Sequence, residues 1–326
     1  MGKVRNFIEH LRHYTELSGQ IGKSGLGLAL DVLYYRVFCG YNPEQYFRNE
    51  FYNFKREKCL TFLSIKNWKL LQQKCCDQEK RPLVDYKPLF NKNFSQFLKR
   101  DWVDMESCSK EDFLSFAEKH PESFCKVSDG LQGIGAEQLD FRTQPAEAFW
   151  DEHKGEKIIL EELIQQHHEM AEFNPSTVNT LRVVTFVCED GTVKLLGAAL
   201  RTGRAGQIAD NFHHHGIAST IDVDTGIVIC TGIDNQFVRY VKHPDSGKAF
   251  PGFKIPHWDL VVEEVKKAAL VVPEAHYIGW DIAVREDDIC FVEGNTNAAV
   301  DVIEMPLKEG MWAKIKPYAM PFLNKR

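Results

Sequence analysis

A chain of 326 residues, 44% hydrophobic and 26% charged, carries enough apolar material for a sizeable core divided over two or three lobes. Its formal charge of −6, from 40 Lys and Arg against 46 Asp and Glu, argues against a general attraction to nucleic acid, so any basic surface must be local. Nine cysteines without a CxxC pair read as reduced thiols of a cytoplasmic protein rather than as a disulfide framework.

The opening segment MGKVRNFIEHLRHYTEL is charged throughout and lacks the apolar run of a secretion signal. Residues 1 to about 80 read as helical, with Phe7, Ile8, Leu11, Tyr14 and Leu17 at three- and four-residue spacing. The stretch GLGLALDVLYYRVFCG is broken by Asp31 and Arg36 and is too short to span a bilayer. A partly buried helix is the expectation there, with a membrane-surface helix, and hence a weak peripheral membrane contact, as the alternative. Pro82 and Pro88 interrupt any helix and mark 80–90 as a boundary. Helices are then expected at NKNFSQFLKR and at SKEDFLSFAEKH, the latter opened by Ser109. After Pro121 the pattern becomes strand, Gly-rich turn, strand (SFCKV, SDGLQGIG, AEQLDF), followed by a short strand at KIILEELI. From residue 180 onward β-rich segments dominate, interrupted by a helix at DLVVEEVKKAAL and closed by the hairpin HYIGWDIAV and ICFVEGN. The fold class is therefore α+β.

The hairpin holds the strongest chemical signal. A turn centred on Asp287 sets Asp281 and Glu293 opposite one another, and period-two alternation puts Asn295 on the face of Glu293. Two facing carboxylates destabilise a sheet unless something neutralises them, and with an amide oxygen they form a donor set suited to Mg²⁺. The plainer reading is a solvated acidic hairpin, but Ile278, Trp280, Phe291 and Val292 point to burial. Lys126, entering a loop with Gly130, Gly133 and Gly135, can set an ammonium beside a phosphate cradled by backbone N–H groups; an exposed turn is the plainer alternative. Arg182, Arg201 and Arg204 lie on or beside successive strands and suit phosphate or carboxylate.

In order along the chain, Lys92, FCKVSDGLQGIGAE, IILEELIQQH, NTLRVVTF, AALRTGR, DNFHHHGI, GWDIAV and FVEGN resemble the ATP-grasp superfamily, and within it the sugar-transfer-associated branch related to glutamate ligases. The resemblance implies an ATP-grasp fold of two α+β lobes clasping ATP over 85–326, with a first nucleotide lobe (85–175), a second lobe with the metal site (176–326) and a helical region at 1–84. It implies Lys92 and Lys126 on the phosphates, and adenine read by Glu161, Glu162 and Leu163. Ribose falls to Glu169 or Asn179, and Asp281, Glu293 and Asn295 would ligate two Mg²⁺ ions, with Mn²⁺ as the alternative. Arg182, Arg201 and Asn211 match positions on the transferred phosphate.

Three successive histidines, His213, His214 and His215, invite a transition-metal reading, but no spaced histidine pair or cysteine nearby completes one. His215 stands where the resemblance expects a glycine, so it is a candidate acceptor contact or general base, against a merely solvated loop. The implied activity is an ATP-dependent carboxylate–amine ligase working through an acyl phosphate on a small-molecule carboxylate and amine, or on a sugar or surface-polysaccharide precursor. A kinase of hydroxyl groups and a non-catalytic nucleotide-binding protein are the alternatives.

Overall fold

The computed structural model describes residues 19, 22, 24–130, 136–207, 210, 212 and 216–324. The expected helix of Phe7, Ile8, Leu11, Tyr14 and Leu17 lies outside the described residues.

Two antiparallel sheets organise the chain. β1 (Trp102–Asp104), β2 (Glu122–Val127), β3 (Glu137–Asp140) and β4 (Ile158–Glu162) form the first, in the order β1-β4-β2-β3. The second runs β11-β10-β5-β6-β7-β8-β9. Its strands are β5 (Thr180–Val187), β6 (Val193–Thr202), β7 (Ile217–Ile221), β8 (Gly232–Ile233), β9 (Arg239–Tyr240), β10 (Tyr277–Val284) and β11 (Ile289–Asn295). The fold is thus mixed helix and antiparallel sheet, as the α+β expectation required; β1 was not anticipated, being only three residues long.

On the first sheet, Cys125, Leu139 and Leu160 pack against Phe113, Phe116 and Phe149 of the helices Lys110–Lys119 and Ala146–His153. Ser109 opens the first of these with a capping box to Asp112. Alternation then leaves Trp102, Lys126 and Glu161 on the opposite face, since Trp102 and Phe124 both pair with Glu161 and Lys126 pairs with Ile159.

The second sheet is covered on both faces. Helix Trp258–Ala269 lays Val261, Val265 and Ala268 over Leu181, Val183, Trp280 and Ile282. The other face, with Val184, Phe186 and Tyr277, packs on Ile303, Met305, Ile315 and Ala319 of the helices Asp301–Leu307 and Trp312–Leu323, joined by Leu63 and Leu71. The N-terminal helical region therefore shares the core of the second sheet through Leu63, Leu71 and Cys75.

Pro82 and Pro88, expected to interrupt helix, instead sit in the first turns of Pro82–Asp85 and Lys87–Asn93. A missing N–H is harmless there and the fixed φ suits the helix. Val84, Phe90, Phe94 and Phe97 of this segment pack with Trp280 and Phe291, so the stretch expected to open the first lobe joins the core of the second. Its approach explains one glycine. A Cβ at Gly294 would stand 2.8 Å from Val84 and 3.1 Å from Phe90.

Glu304 locks the N-terminal region to the second sheet by accepting the N–H groups of Leu63 and Met311, each at 2.8 Å. Burial, opposed by those two donors and by Arg48, pushes its carboxyl up to about 8. The folded chain therefore holds this proton more tightly than the unfolded one, whose ordinary value is 4.5. The contribution to stability is fully present below that value and is lost as pH climbs toward 8. Glu304→Gln keeps an acceptor oxygen for both N–H groups without the charge. Urea titrations should show its unfolding free energy changing less than wild type between about pH 5 and pH 8.

Candidate active site

The β10–β11 hairpin turns over 285–288, with Val284 opposite Ile289 and Ile282 opposite Phe291. Continued unchanged, that register would set Val292 against Asp281. An irregularity between Asp281 and Ile282 leaves Val292 unpaired and places Glu293 opposite Asp281. The expected carboxylate pair is present, but through a bulge rather than through a turn centred on Asp287.

β5 sets Arg182 opposite Asp281 on the other side, so Arg182, Asp281 and Glu293 form one row across three strands. Arg182 donates Nε to Asp281 Oδ1 at 2.5 Å and Nη2 to Oδ2 at 3.0 Å. Arg201 donates Nη1 to the same Oδ2 at 3.0 Å and Nη2 to Asp210 Oδ1 at 2.8 Å. Asp210 in turn accepts the N–H and hydroxyl of Thr180, at 2.8 and 2.5 Å. Asn295 donates to Glu293 Oε1 at 3.1 Å. Burial opposes ionisation of Asp281, yet the two guanidinium groups outweigh it and hold the carboxyl well below the usual range. Burial and the facing Asp281 push the Glu293 carboxyl up. At Gly279 an added Cβ would lie 2.3 Å from that of Ala298, so only glycine lets the chain beyond β11 fold back over this row.

A second group of charges belongs to the first sheet. Lys126 donates to Glu161 Oε2 at 2.6 Å, and Arg100 Nη2 and Asn91 Nδ2 donate to Oε1 at 2.7 and 3.2 Å. Arg100 is buried and also donates to the carbonyl oxygens of Phe291 and Val292, so it links β4 directly to the bulge of β11. Burial raises the Glu161 carboxyl, but Arg100 and Lys126 overcome this and bring it down to about 2. Lys87 donates to the Gly130 carbonyl at 2.6 Å. Burial lowers its ammonium, with Glu293, Lys126 and Glu161 all within electrostatic reach. Lys87 thus lies within electrostatic reach of both charge groups, whereas Lys92 was the lysine expected on the phosphates. Lys92 is exposed and lines a cavity of about 640 Å³ with Arg100, Trp102, Asp104 and Lys119, while Lys126, Asp281 and Glu293 do not line it.

Other expected residues are placed differently. Glu162 points to the opposite face from Glu161 and accepts the Asp101 N–H at 3.0 Å. Leu163 follows the end of β4, and Glu169 lies, partly exposed, in the turn of helix His168–Ala171. Asn179 is fully buried and spends its amide on Gln166, Met170 and Asn174 and on the Gly203 N–H, which removes it as a ribose contact. Arg204 pairs with Asp245 through two hydrogen bonds instead of joining the row. Gly133, Gly135, Asn211, His213, His214 and His215 lie outside the described residues. Arg100, Lys87 and Asp210 were not foreseen. Lys87 follows the Val-Asp-Tyr run only five residues before Lys92, and a helical reading of 87–93 would have separated the two.

No curated protein matches the sequence. Among solved structures, the ATP-grasp ligase PsnB complexed with minimal precursor, Mg and ADP is 13% identical with a TM-score of 0.47, covering 76% of this chain and 61% of PsnB. D-alanyl-alanine synthetase A from Vibrio cholerae O1 biovar eltor is 12% identical with a TM-score of 0.47, covering 77% of this chain and 68% of that one. D-alanine–D-alanine ligase from Bacillus anthracis complexed with ATP is 11% identical with a TM-score of 0.43, at 74% and 66% coverage. The match to PsnB spans less than two thirds of that protein. The model of the family described as sugar-transfer associated ATP-grasp matches residues 149–318, just over half of the chain. The two-sheet architecture is accordingly an ATP-grasp fold, and the chain belongs to the sugar-transfer associated ATP-grasp family.

Proposed function

We propose that the protein is an ATP-dependent carboxylate–amine ligase that proceeds through an acyl phosphate. The observation that carries this reading is the row Arg182–Asp281–Glu293, joined by Arg201 and Asn295 and reached electrostatically by Lys87. Asp281 is neutralised by Arg182 and Arg201, whereas Glu293 beside it has Asn295 as its hydrogen-bond donor, and a divalent ion serving phosphoryl transfer would neutralise that second carboxylate.

The donor set fits a hard divalent ion. Asp281 and Glu293 offer carboxylate oxygens, Asn295 an amide oxygen, and Oδ1 of Asp281 accepts one arginine N–H and so keeps an acceptor lone pair. When bound, one or two Mg²⁺ ions, or Mn²⁺, would neutralise charge on the phosphate oxygens. Lys87 and Lys126 neutralise the remaining oxygens, Lys126 exchanging Glu161 for phosphate. Backbone groups of Glu161–Leu163 hold the adenine, and Glu169 takes the ribose. A substrate carboxylate oxygen attacks the γ-phosphorus and ADP leaves; Arg182 and Arg201 stabilise the charge developing on the phosphoryl oxygens. An amine then attacks the acyl carbon and phosphate departs with the carboxylate oxygen. Water must be excluded in between, because the acyl phosphate hydrolyses. A sugar or surface-polysaccharide precursor as acceptor is supported by the family description alone.

Hydroxylamine added with ATP, Mg²⁺ and a carboxylate library should yield a hydroxamate. A stable phosphorylated product without hydroxamate would instead make the protein a kinase. The two lysines separate the site assignments. Lys87→Met should raise KM for ATP by about tenfold or more, as loss of a charged phosphate contact does, whereas Lys92→Met should leave it within about twofold. Steady-state kinetics on the two variants reads the difference.

A further inference from the structure

Helix Gly25–Tyr34, extended by a wider turn over Tyr35–Cys39, is apolar on two sides. Its inner side, with Leu28, Val32 and Tyr35, closes a small aromatic core with Tyr41, Tyr46, Phe51 and Phe62. On the outer side Leu26, Leu30, Leu33 and Val37 are 74%, 58%, 54% and 63% exposed, and Phe38 is 74% exposed. Steps of four, three and four residues align the first four along one stripe. Single exposed leucines need no explanation, but a continuous stripe on one helix marks a surface that meets something apolar.

The rim of the stripe identifies what it meets. Arg36 is exposed on the same helical segment, and Lys55 and Arg56 are exposed beside it, with Glu57 the exposed acid among them. The Arg56 guanidinium lies 4.6 Å from the ring centre of Tyr34, and the Lys58 ammonium 5.1 Å from that of Phe54. Tyr34 and Phe38 pair at 5.4 Å along the same edge. Cations and amphipathic rings thus border an apolar stripe on a chain whose overall charge is −6. This is the pattern of a helix lying in a membrane interface, with aromatic rings at headgroup depth and basic side chains toward lipid phosphate. A second copy of the chain is a poorer occupant, because it would crowd two rims that each carry Arg36, Lys55, Arg56 and Lys58 with Glu57 as the exposed acid among them. No described helix is long and apolar enough to cross a membrane, so the contact is peripheral.

We propose that the face formed by Leu26, Leu30, Leu33, Val37 and Phe38 docks the protein on an anionic lipid bilayer, with Arg36, Lys55, Arg56 and Lys58 on the lipid phosphates. The inference is independent of the ligase chemistry, since none of these residues belongs to the row at Asp281. The full chain is sedimented with vesicles of phosphatidylcholine alone and of phosphatidylcholine mixed with phosphatidylglycerol. Wild type should bind the anionic vesicles, more weakly at high salt. Leu30→Glu with Leu33→Glu should weaken that binding by about tenfold or more. Arg36→Glu with Arg56→Glu should abolish the preference for phosphatidylglycerol. All four positions are on the surface or its rim, so thermal unfolding of each double variant should match wild type. Wild type left in the supernatant with both vesicle types, equal binding to both, or unchanged binding of the leucine variant at an unchanged melting temperature would each overturn the proposal. So would a dimer in equilibrium sedimentation that the leucine substitutions dissolve while vesicle binding is absent.

Discussion

Replacing Asp281 with asparagine is expected to lower kcat by about three orders of magnitude and unfolding free energy by about 3 kcal/mol, because two partly buried guanidinium groups lose their shared anion. Arg182 gives it two hydrogen bonds and Arg201 a third, and the only other carboxylate partner of Arg201 among the described contacts is Asp210. A drop in activity alone could therefore reflect a disturbed fold. Glu293→Gln resolves this. Glu293 faces Asp281 across the ladder, so the substitution relieves a like-charge contact and should leave stability equal to wild type or higher. Its kcat should nevertheless fall about as far as that of Asp281→Asn, since the amide removes one of the two anionic oxygen donors. Denaturant titration and single-turnover kinetics on both variants check the contrast. Loss of activity with gained stability is the signature of a functional carboxylate pair.

Arg100→Met is expected to be the most damaging change away from that row. It leaves the carbonyl groups of Phe291 and Val292 without their donor, and Glu161 with only Lys126 and Asn91. Stability should fall by about 3 kcal/mol, the usual result of removing one partner from a buried charged network. The effect should also reach the chemistry. Without Arg100 the bulge at Val292 loses the contact that holds its carbonyl, and the simple register would turn Val292 toward Asp281 in place of Glu293. We expect kcat to drop by about a hundredfold and KM for ATP to rise, because Glu161, left with Lys126 as its one cation partner among the described contacts, holds that lysine back from the phosphates. Glu161→Gln keeps Arg100 on the bulge and should retain far more activity. Hydrogen exchange at the β11 amides reports the register directly, and should accelerate in Arg100→Met and remain slow in Glu161→Gln.

Much of the second sheet was legible in the sequence because each of its long strands carries its own alternation and turn. The opposition of Asp281 and Glu293 followed from counting outward from a turn. The turn does occupy 285–288, but its symmetric register would pair Asp281 with Val292; the count succeeded only because a bulge shifts that pairing by one residue, and a bulge has no signature in a single sequence. Arg182 and Arg201 were placed near the site by strand adjacency, yet their convergence on one carboxylate depends on strand order, which periodicity does not supply. Lys92 was taken from the resemblance, and Pro88 was expected to interrupt any helix in this stretch. In fact the proline starts a helix, and the orientation of that helix exposes Lys92 and turns Lys87 inward. Asn179 shows the converse. Its side chain looked available in sequence and is consumed by backbone groups of the loops around it, a tertiary fact with no local trace.

The central claim is that a substrate carboxylate is phosphorylated at the row around Asp281 and then displaced by an amine. Carboxylates labelled with oxygen-18 in both oxygens, offered as a library with amines, ATP and Mg²⁺, test it through the phosphate released. Mass spectrometry should find one labelled oxygen in each phosphate formed by wild type and almost no turnover in Glu293→Gln. Turnover that releases unlabelled phosphate would contradict it.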